Sequence, residues 1–241
     1  MNTDIPGRPQ RRQFLLGSGA VAVAPLILNA TASGADAADV AGVHAKQPAG
    51  YQSLGPEEAA IVEKIVDVMC PADALTAGGV ELGLAIYIDR QLAGAFGRGD
   101  RLYRHGPWRP GRPELGYQSA LTPERFFKIA LTEMQAAALV SHGKPFTDLS
   151  ASQADAFLLE VSSGRISSES VRLATWFNEM LYPLFAQACF VDPIYGGNRG
   201  KAFWKAIGYP GLPAFNTRNV VEFRGKPYPA AAQPKSMQDF S

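Results

Sequence analysis

The sequence contains few of the residues that hold metal ions or iron–sulfur clusters. Among its 241 residues there are two cysteines, Cys70 and Cys189, and three widely separated histidines, His44, His105 and His142. It has no His-Glu-x-x-His, Cys-x-x-Cys or Cys-x-x-Cys-His motif, the spacings that place zinc ligands or attach haem. Two cysteines are also too few for an iron–sulfur cluster. We therefore predict no metal site in this chain.

Motifs for nucleophilic catalysis and dinucleotide binding are equally scarce. Beyond residue 37 there is no Gly-x-Ser-x-Gly sequence, the turn that presents a nucleophilic serine in many hydrolases. The pair Gly196-Gly197 lacks the further glycine of a dinucleotide fingerprint and follows a helical rather than a strand pattern. A tight loop, in which Asp192 and Asn198 cap adjacent turns, explains it better. The residues thus indicate no catalytic residue and no cofactor-binding residue.

The first 37 residues have the pattern of a signal that exports a folded protein. Arg11 and Arg12 precede Phe14 and Leu15, and the apolar run continues to Leu28. This run is shorter than the roughly 20 residues that a membrane-spanning helix needs, although an uncleaved membrane anchor is the alternative. We predict that the chain reaches the periplasm through the twin-arginine translocase.

That compartment bears on the two cysteines. In an oxidising periplasm Cys70 and Cys189 most simply form one disulfide. Such a bond would close a loop of about 120 residues and stabilise the fold by about 4–5 kcal/mol in the chain-entropy model. Two free buried thiols are the alternative.

Neither charge is in excess. Removing the three arginines and two aspartates of residues 1–37 from 23 basic and 22 acidic residues leaves 20 of each. A balanced total gives no global reason to expect nucleic acid or anionic lipid as a partner. We predict no nucleic-acid binding.

One segment departs from this balance. Residues 97–121, called the arginine segment below, hold five arginines within 15 residues, opposed only by Asp100. Glycine and proline recur too often there for a helix or strand, and the aromatic residues Tyr103, Trp108 and Tyr117 argue against disorder. A solvated charged loop is one interpretation. Because arginine, tyrosine and tryptophan are enriched in interface hot spots, a protein-docking surface is the other.

The remaining pattern is helical. Apolar residues recur at helical spacing in residues 56–70, 79–96, 123–143, 150–164, 167–190 and 201–208, and no window shows a sustained period of two. We expect the stretch 167–190 to be the longest helix, kinked by Pro183. The prediction is one all-α domain of five to six helices at residues 55–211. A signal peptide at 1–37 and a linker at 38–54 precede it, and an extended proline-rich tail at 212–241 follows.

Three stretches carry a family resemblance. "GVELGLAIYIDRQLAGAF", "GPWRPGRPELGYQ" and above all "DPIYGGNRGKAFWKAIGYPG" resemble the small subunit, subunit 3, of the membrane-bound gluconate 2-dehydrogenase type of flavoprotein dehydrogenase, over residues 54–211. The resemblance implies a large FAD subunit that oxidises a sugar, polyol or aldonate, and a cytochrome subunit with haem c. It also implies a small subunit without its own cofactor, which assists the maturation and export of the flavin subunit.

We therefore expect a non-catalytic accessory subunit at the outer face of the cytoplasmic membrane, touching the membrane only through its complex. The residues expected at the partner interface are Arg98, Arg101, Arg104, Trp108, Arg109, Arg112, Tyr117, Asp192, Tyr195, Asn198, Arg199 and Trp204. The alternatives are a free-standing periplasmic enzyme with a site near His105, Arg109 and Tyr117, or a periplasmic scaffold protein.

Overall fold

The computed structural model describes residues 50–108, 112, 119–212 and 217–240. The signal peptide with Arg11, Arg12, Phe14 and Leu15 lies outside the described residues, as do most of the linker, Arg109 and Tyr117. Within the described ranges the fold is all-helical, and the only bridge between extended backbone segments joins Gly211 to Lys235. The predicted fold class is confirmed.

The described part of the chain contains nine α-helical segments. They are α1 (Pro56–Met69), α2 (Leu84–Ala93), α3 (Ala95–Arg98), α4 (Pro123–His142), α5 (Ala151–Ser162), α6 (Leu173–Trp176), α7 (Tyr182–Phe190), α8 (Ala202–Ile207) and α9 (Thr217–Glu222). A π-helical turn, Phe177–Leu181, joins α6 to α7 without a break. The described residues thus form eight separate helices, against the five to six predicted.

Capping residues explain where the helices begin and end. Pro56 is the first residue of α1, and the Glu58 side chain reaches back to accept a hydrogen bond from Gly55 N at 2.8 Å. The capping box expected for α5 is present, because Ser150 Oγ accepts from Gln153 N and Gln153 Oε1 accepts from Ser150 N. Helix α4 ends at Gly143, which is left-handed.

The helix predicted at residues 79–96 lies in the centre of the fold but is shorter than predicted and is interrupted. Leu84, Ile88 and Leu92 of α2 are fully buried, and α2 packs against α1, α3, α4 and α7. Gly94 takes an extended conformation and separates α2 from α3. The dense apolar pattern continued across this glycine, so the sequence pattern did not show the break.

The stretch 173–190 accommodates Pro183 by widening the helical turn that precedes it. Pro183 has no N–H to donate, and its ring would collide with the carbonyl four residues earlier in a regular α-helix. The preceding turn is π-helical, and Tyr182 N donates to Phe177 O, five residues back. The prediction that this is the longest helix is wrong, because it begins only at Leu173 and α4 is longer, with 20 residues.

One hydrophobic core is shared by α1, α2 and α4 to α7. At its centre Trp176 lies edge-on to Phe127, with ring centroids 5.5 Å apart, and Phe146 contacts Phe157 at 5.8 Å. These four side chains are fully buried. No helix in the described part of the chain is both long and apolar enough to cross a membrane.

The proline content of the segment after Gly211 predicted an extended chain, but the segment is not extended throughout. It contains α9 and two 3-10 turns, Pro229–Ala232 and Met237–Phe240. Proline fixes φ near the values of a first helical position, and Pro229 begins such a turn. A proline-rich composition alone therefore did not distinguish extended chain from short turns.

Candidate partner-binding surfaces

The described part of the arginine segment presents aromatic and cationic side chains to solvent. Tyr103 is 85% exposed and Trp108 46% exposed, and Arg101, Arg104 and Arg112 are also exposed. Large exposed aromatics beside arginines match the composition of protein interface hot spots. The structure thus presents a surface of the predicted chemistry at residues 101–108.

Local contacts hold parts of this surface. Arg98 donates from Nη2 to Asp100 Oδ2 at 2.8 Å and from Nη1 to Ala93 O at 3.2 Å, while Arg104 Nη2 makes a long contact of 3.5 Å to Ala120 O. The Arg98–Asp100 pair is about half exposed and adds at most about 1 kcal/mol to stability. Arg98 is thus tied to its own loop, whereas Arg101 extends into solvent.

The alternative enzyme site is represented by one residue in the described structure. His105 is exposed, and its ring lies 5.7 Å from that of Tyr103. Its proposed companions, Arg109 and Tyr117, fall outside the described residues. Within those residues no three His, Cys, Asp or Glu side chains gather as a metal ion would need.

The second predicted surface is the segment 192–201, called the glycine loop below, together with α8. Three of its predicted interface residues are occupied by internal contacts. Asn198 is fully buried, donating from Nδ2 to Val191 O and accepting at Oδ1 from Phe203 N. Trp204 is 5% exposed and donates from Nε1 to Phe190 O at 2.7 Å. These two side chains stabilise the loop through internal hydrogen bonds and are not exposed to a partner.

Asp192 also acts inside the molecule. Its Oδ1 accepts from Ile194 N at 3.0 Å, which is the local cap expected from the sequence, and its Oδ2 accepts from Met237 N at 2.9 Å. Only Tyr195, 49% exposed, and Arg199 remain available on the surface among the predicted residues of this region.

The glycine loop has an unusual backbone. Asn198 and Lys201 are left-handed, with φ of 47° and 57°, alongside Gly196 and Gly200. A left-handed residue other than glycine costs about 1–2 kcal/mol, less for asparagine. Gly83, also left-handed at φ 78°, lies against this loop, and a Cβ at that position would collide with Gly196 O. The surrounding contacts must therefore hold the loop in shape.

One of those contacts comes from residues 228–240, called the C-terminal strap below. Lys201 Nζ forms an ion pair with Asp239 at 2.7 Å, and Leu212 N donates to Lys235 O while Lys235 N donates to Pro210 O. The ion pair with Lys201, with the hydrogen bond from Ser236 N, lowers the pKa of Asp239 to about 2. The strap is thus bound to the glycine loop through Asp239 and Met237, and to residues 210–212 through Lys235.

Beside the glycine loop lies an open cleft of 640 Å³. Its walls combine the apolar residues Leu75 and Ala206 with the charged residues Glu81, Arg199 and Lys205. Leu75 is 80% exposed. The glycine loop contributes Arg199 to this cleft, which is accessible to a partner.

The sequence prediction overlooked Asp89 in the middle of α2. Asp89 is fully buried and accepts three backbone hydrogen bonds, from Gln52 N at 2.7 Å, Ser53 N at 2.8 Å and Leu54 N at 2.9 Å. These three hydrogen bonds to Asp89 are called the latch below. Gln52, Ser53 and Leu54 had been assigned to the linker, so the folded body begins before residue 55. The sequence pattern could have predicted this burial, because helical spacing places Asp89 on the same face as the apolar residues Ala85, Ile88 and Leu92.

A second cluster reinforces the latch from α4. Lys128 Nζ donates to Ser53 O at 2.6 Å and pairs with Glu124 at 3.1 Å, and Ser53 Oγ donates to Glu124 at 2.7 Å. The hydrogen bond from Ser53 and then the one from Lys128 lower the pKa of Glu124. Ser53 is therefore held by both α2 and α4.

The predicted disulfide is not present in the structure. Cys70 and Cys189 are both buried free thiols. Burial raises the pKa of the Cys70 thiol, and burial together with the nearby Cys70 raises the pKa of Cys189 to about 12. The prediction rested on the compartment and on there being two cysteines. A protonated thiol packs well in an apolar core without forming a bond.

The geometry defines a small helical protein in which some candidate residues are exposed on the surface, whereas Asn198 and Trp204 are buried and bind their own chain. The model of the family described as Gluconate 2-dehydrogenase subunit 3 matches residues 56–211. The chain belongs to this family, and it is therefore a subunit of the gluconate 2-dehydrogenase type of complex. No curated protein and no solved structure matches the chain.

Proposed function

We propose that this chain is the non-catalytic small subunit of a periplasmic, FAD-dependent, cytochrome c-linked dehydrogenase complex that oxidises gluconate or a related sugar or polyol. It assists the maturation of the flavin subunit and carries it through the twin-arginine translocase. FAD belongs to the large subunit and haem c to the cytochrome subunit.

Family membership over residues 56–211 carries the proposal. The exposed surface of the arginine segment supports it, because Tyr103 and Trp108 leave much of their ring area in solvent. Contiguous exposed aromatic area of this kind marks interaction sites. The cleft beside Arg199 offers a second contact with mixed apolar and charged walls.

Shared export follows from the leader. The twin-arginine system moves folded cargo, so a flavin subunit that has already bound FAD in the cytoplasm can travel with a partner that bears the signal. Arg11 and Arg12 in this chain would then serve both proteins. The substrate of the complex is set by the flavin subunit in this proposal.

The test replaces Arg11 and Arg12 by lysine and follows the flavin subunit. We expect both subunits to remain in the cytoplasm, with flavin bound and dehydrogenase activity lost from the periplasm, because the translocase reads the arginine pair. Normal export of the flavin subunit from these cells would refute shared transport. An Arg8→Lys variant, which changes an arginine outside the pair, is the matched control.

A second measurement separates the proposal from its rivals. The isolated chain should show no turnover with gluconate, sugars or polyols and an artificial acceptor, and the flavin subunit should co-purify with it. Turnover by the chain alone would favour the free-standing enzyme. A stable chain without any flavoprotein attached would favour the scaffold protein.

A further inference from the structure

Residues 217–228, called the α9 unit below, present two adjacent valines to solvent. Val220 is 67% exposed and Val221 77% exposed. Tyr228 covers one side of α9, because Asn219 Nδ2 donates to Tyr228 Oη at 2.7 Å and the Phe223 ring lies 5.0 Å from that of Tyr228. The short helix therefore has a defined outward face, and the valines belong to it.

The α9 unit also carries exposed cations. Arg218, Arg224 and Lys226 are all exposed, and Glu222 is the one acidic residue in the unit. Helical spacing places Arg218 next to Val221, while Arg224 and Lys226 follow in the turn that Lys226 N closes by donating to Phe223 O at 2.9 Å. The exposed surface of the α9 unit thus combines two valines with three cations and a single acid, Glu222.

We propose that the α9 unit binds the surface of an anionic lipid bilayer directly. Valines that enter the headgroup region gain apolar burial, and each nearby lysine or arginine adds electrostatic attraction to anionic headgroups. The charge of the unit favours an anionic bilayer, because three exposed cations outnumber its single acid, Glu222. The unit lies outside the family match, which ends at residue 211. The inference does not rest on the proposed export function.

The test uses an environment-sensitive NBD probe on the full chain, attached to Val221→Cys. Both native cysteines are buried with raised pKa values, so labelling is selective for the new thiol. With vesicles of phosphatidylcholine and 30% phosphatidylglycerol we expect a blue-shifted, severalfold brighter emission. With pure phosphatidylcholine vesicles we expect little change. High salt should weaken the effect, since it screens the headgroup charge.

Two comparisons make the result specific to this site. Val140→Cys, at a valine of α4 that is 88% exposed, carries the same probe and should keep its aqueous emission. Replacing Arg218, Arg224 and Lys226 together by glutamine should lower the partition coefficient by about fivefold per cation. Because these side chains are exposed, the circular dichroism spectrum should not change.

An unshifted probe at residue 221, or an equal shift at residue 140, would overturn the proposal. So would unchanged binding after the three cations are replaced. If Val220→Asp with Val221→Asp instead releases the flavin subunit and the vesicles have no effect, the surface binds protein, and the lipid proposal is wrong.

Discussion

At the scale of single residues, Asp89 shows how a charge can be stable inside an apolar helix. Three consecutive backbone N–H groups converge on its two carboxylate oxygens, and charge-assisted bonds of this kind are about twice as strong as neutral ones. Its burial is tolerable because the hydrogen-bonding capacity is used. The same bonds satisfy N–H groups that would otherwise be left without partners near α2.

Replacing Asp89 by asparagine should destabilise the protein. The amide group keeps one acceptor but turns an N–H donor toward a backbone N–H, so we expect a loss of about 2–3 kcal/mol in the free energy of unfolding. The midpoint of thermal unfolding should fall by about 5–10 °C. Asp155→Asn on the exposed face of α5 is the control. Equal, small effects of the two substitutions would contradict the latch.

The thiols allow a second test at this scale. With a pKa of about 12, Cys189 is a thiolate in roughly one molecule in ten thousand at pH 8, and only the thiolate reacts. Iodoacetamide should therefore leave the native protein unlabelled, and in guanidinium without reductant it should add two groups per chain, one on each cysteine. Failure to label the unfolded protein would show a disulfide after all.

At the scale of elements, local chemistry predicted helix starts better than helix interiors. The helices predicted at 56–70, 123–143 and 150–164 begin within one residue of α1, α4 and α5, because helix starts are determined by capping within one turn. The break at Gly94 depends on packing between helices, which a local pattern does not contain. Pro183 indicated a distorted helix, but the sequence pattern did not show that the distortion is a π-helical turn. The C-terminal strap is a similar case, since Asp239 meets Lys201 across 38 residues.

The strap should loosen when its ion pair is removed. In Asp239→Asn we expect faster hydrogen exchange at the amides of Leu212, Lys235 and Met237, with α2 unaffected. Glu222→Gln, a change at an exposed acid of α9, is the control. Protection that is unchanged in Asp239→Asn would mean that backbone bonds alone hold the strap.

The pH dependence of the strap follows from the same contact. The folded pKa of Asp239, about 2, lies below the usual value of about 3.9, so the ion pair favours the bound strap. Its contribution is fully present above pH 4 and is lost as the pH falls toward 2. Hydrogen exchange at Met237 measured at pH 5 and pH 3 should show this loss in the wild type and a smaller change in Asp239→Asn.

At the scale of the whole molecule, the fold class and family were predictable, whereas the functional surfaces were only partly so. Helical periodicity predicted the fold class, and the "DPIYGGNRG" stretch indicated the family. The predicted interface failed at Asn198 and Trp204, because residues that look like recognition groups in sequence fold inward to shape a strained loop. The balanced total charge also concealed the local positive surface of the α9 unit.

The arginine segment should determine assembly of the complex. Arg101→Glu combined with Arg104→Glu reverses two exposed charges, and we expect flavin-subunit binding to weaken by about tenfold or more, since opposed like charges are costly at an interface. Lys144→Glu with Arg165→Glu, two exposed sites elsewhere, is the matched control. Unchanged affinity, measured by co-purification and by titration, would remove this surface from the interface.

The latch also has a mechanical consequence. Tension applied to the chain ahead of Gly50 passes through Gln52, Ser53 and Leu54 before it reaches α1, and there it is carried by Asp89 and Lys128. Those two side chains belong to α2 and α4, which pack against each other in the core. A pulling force is therefore spread over the interior of the molecule, and α1 does not begin to unravel until several polar contacts have ruptured together.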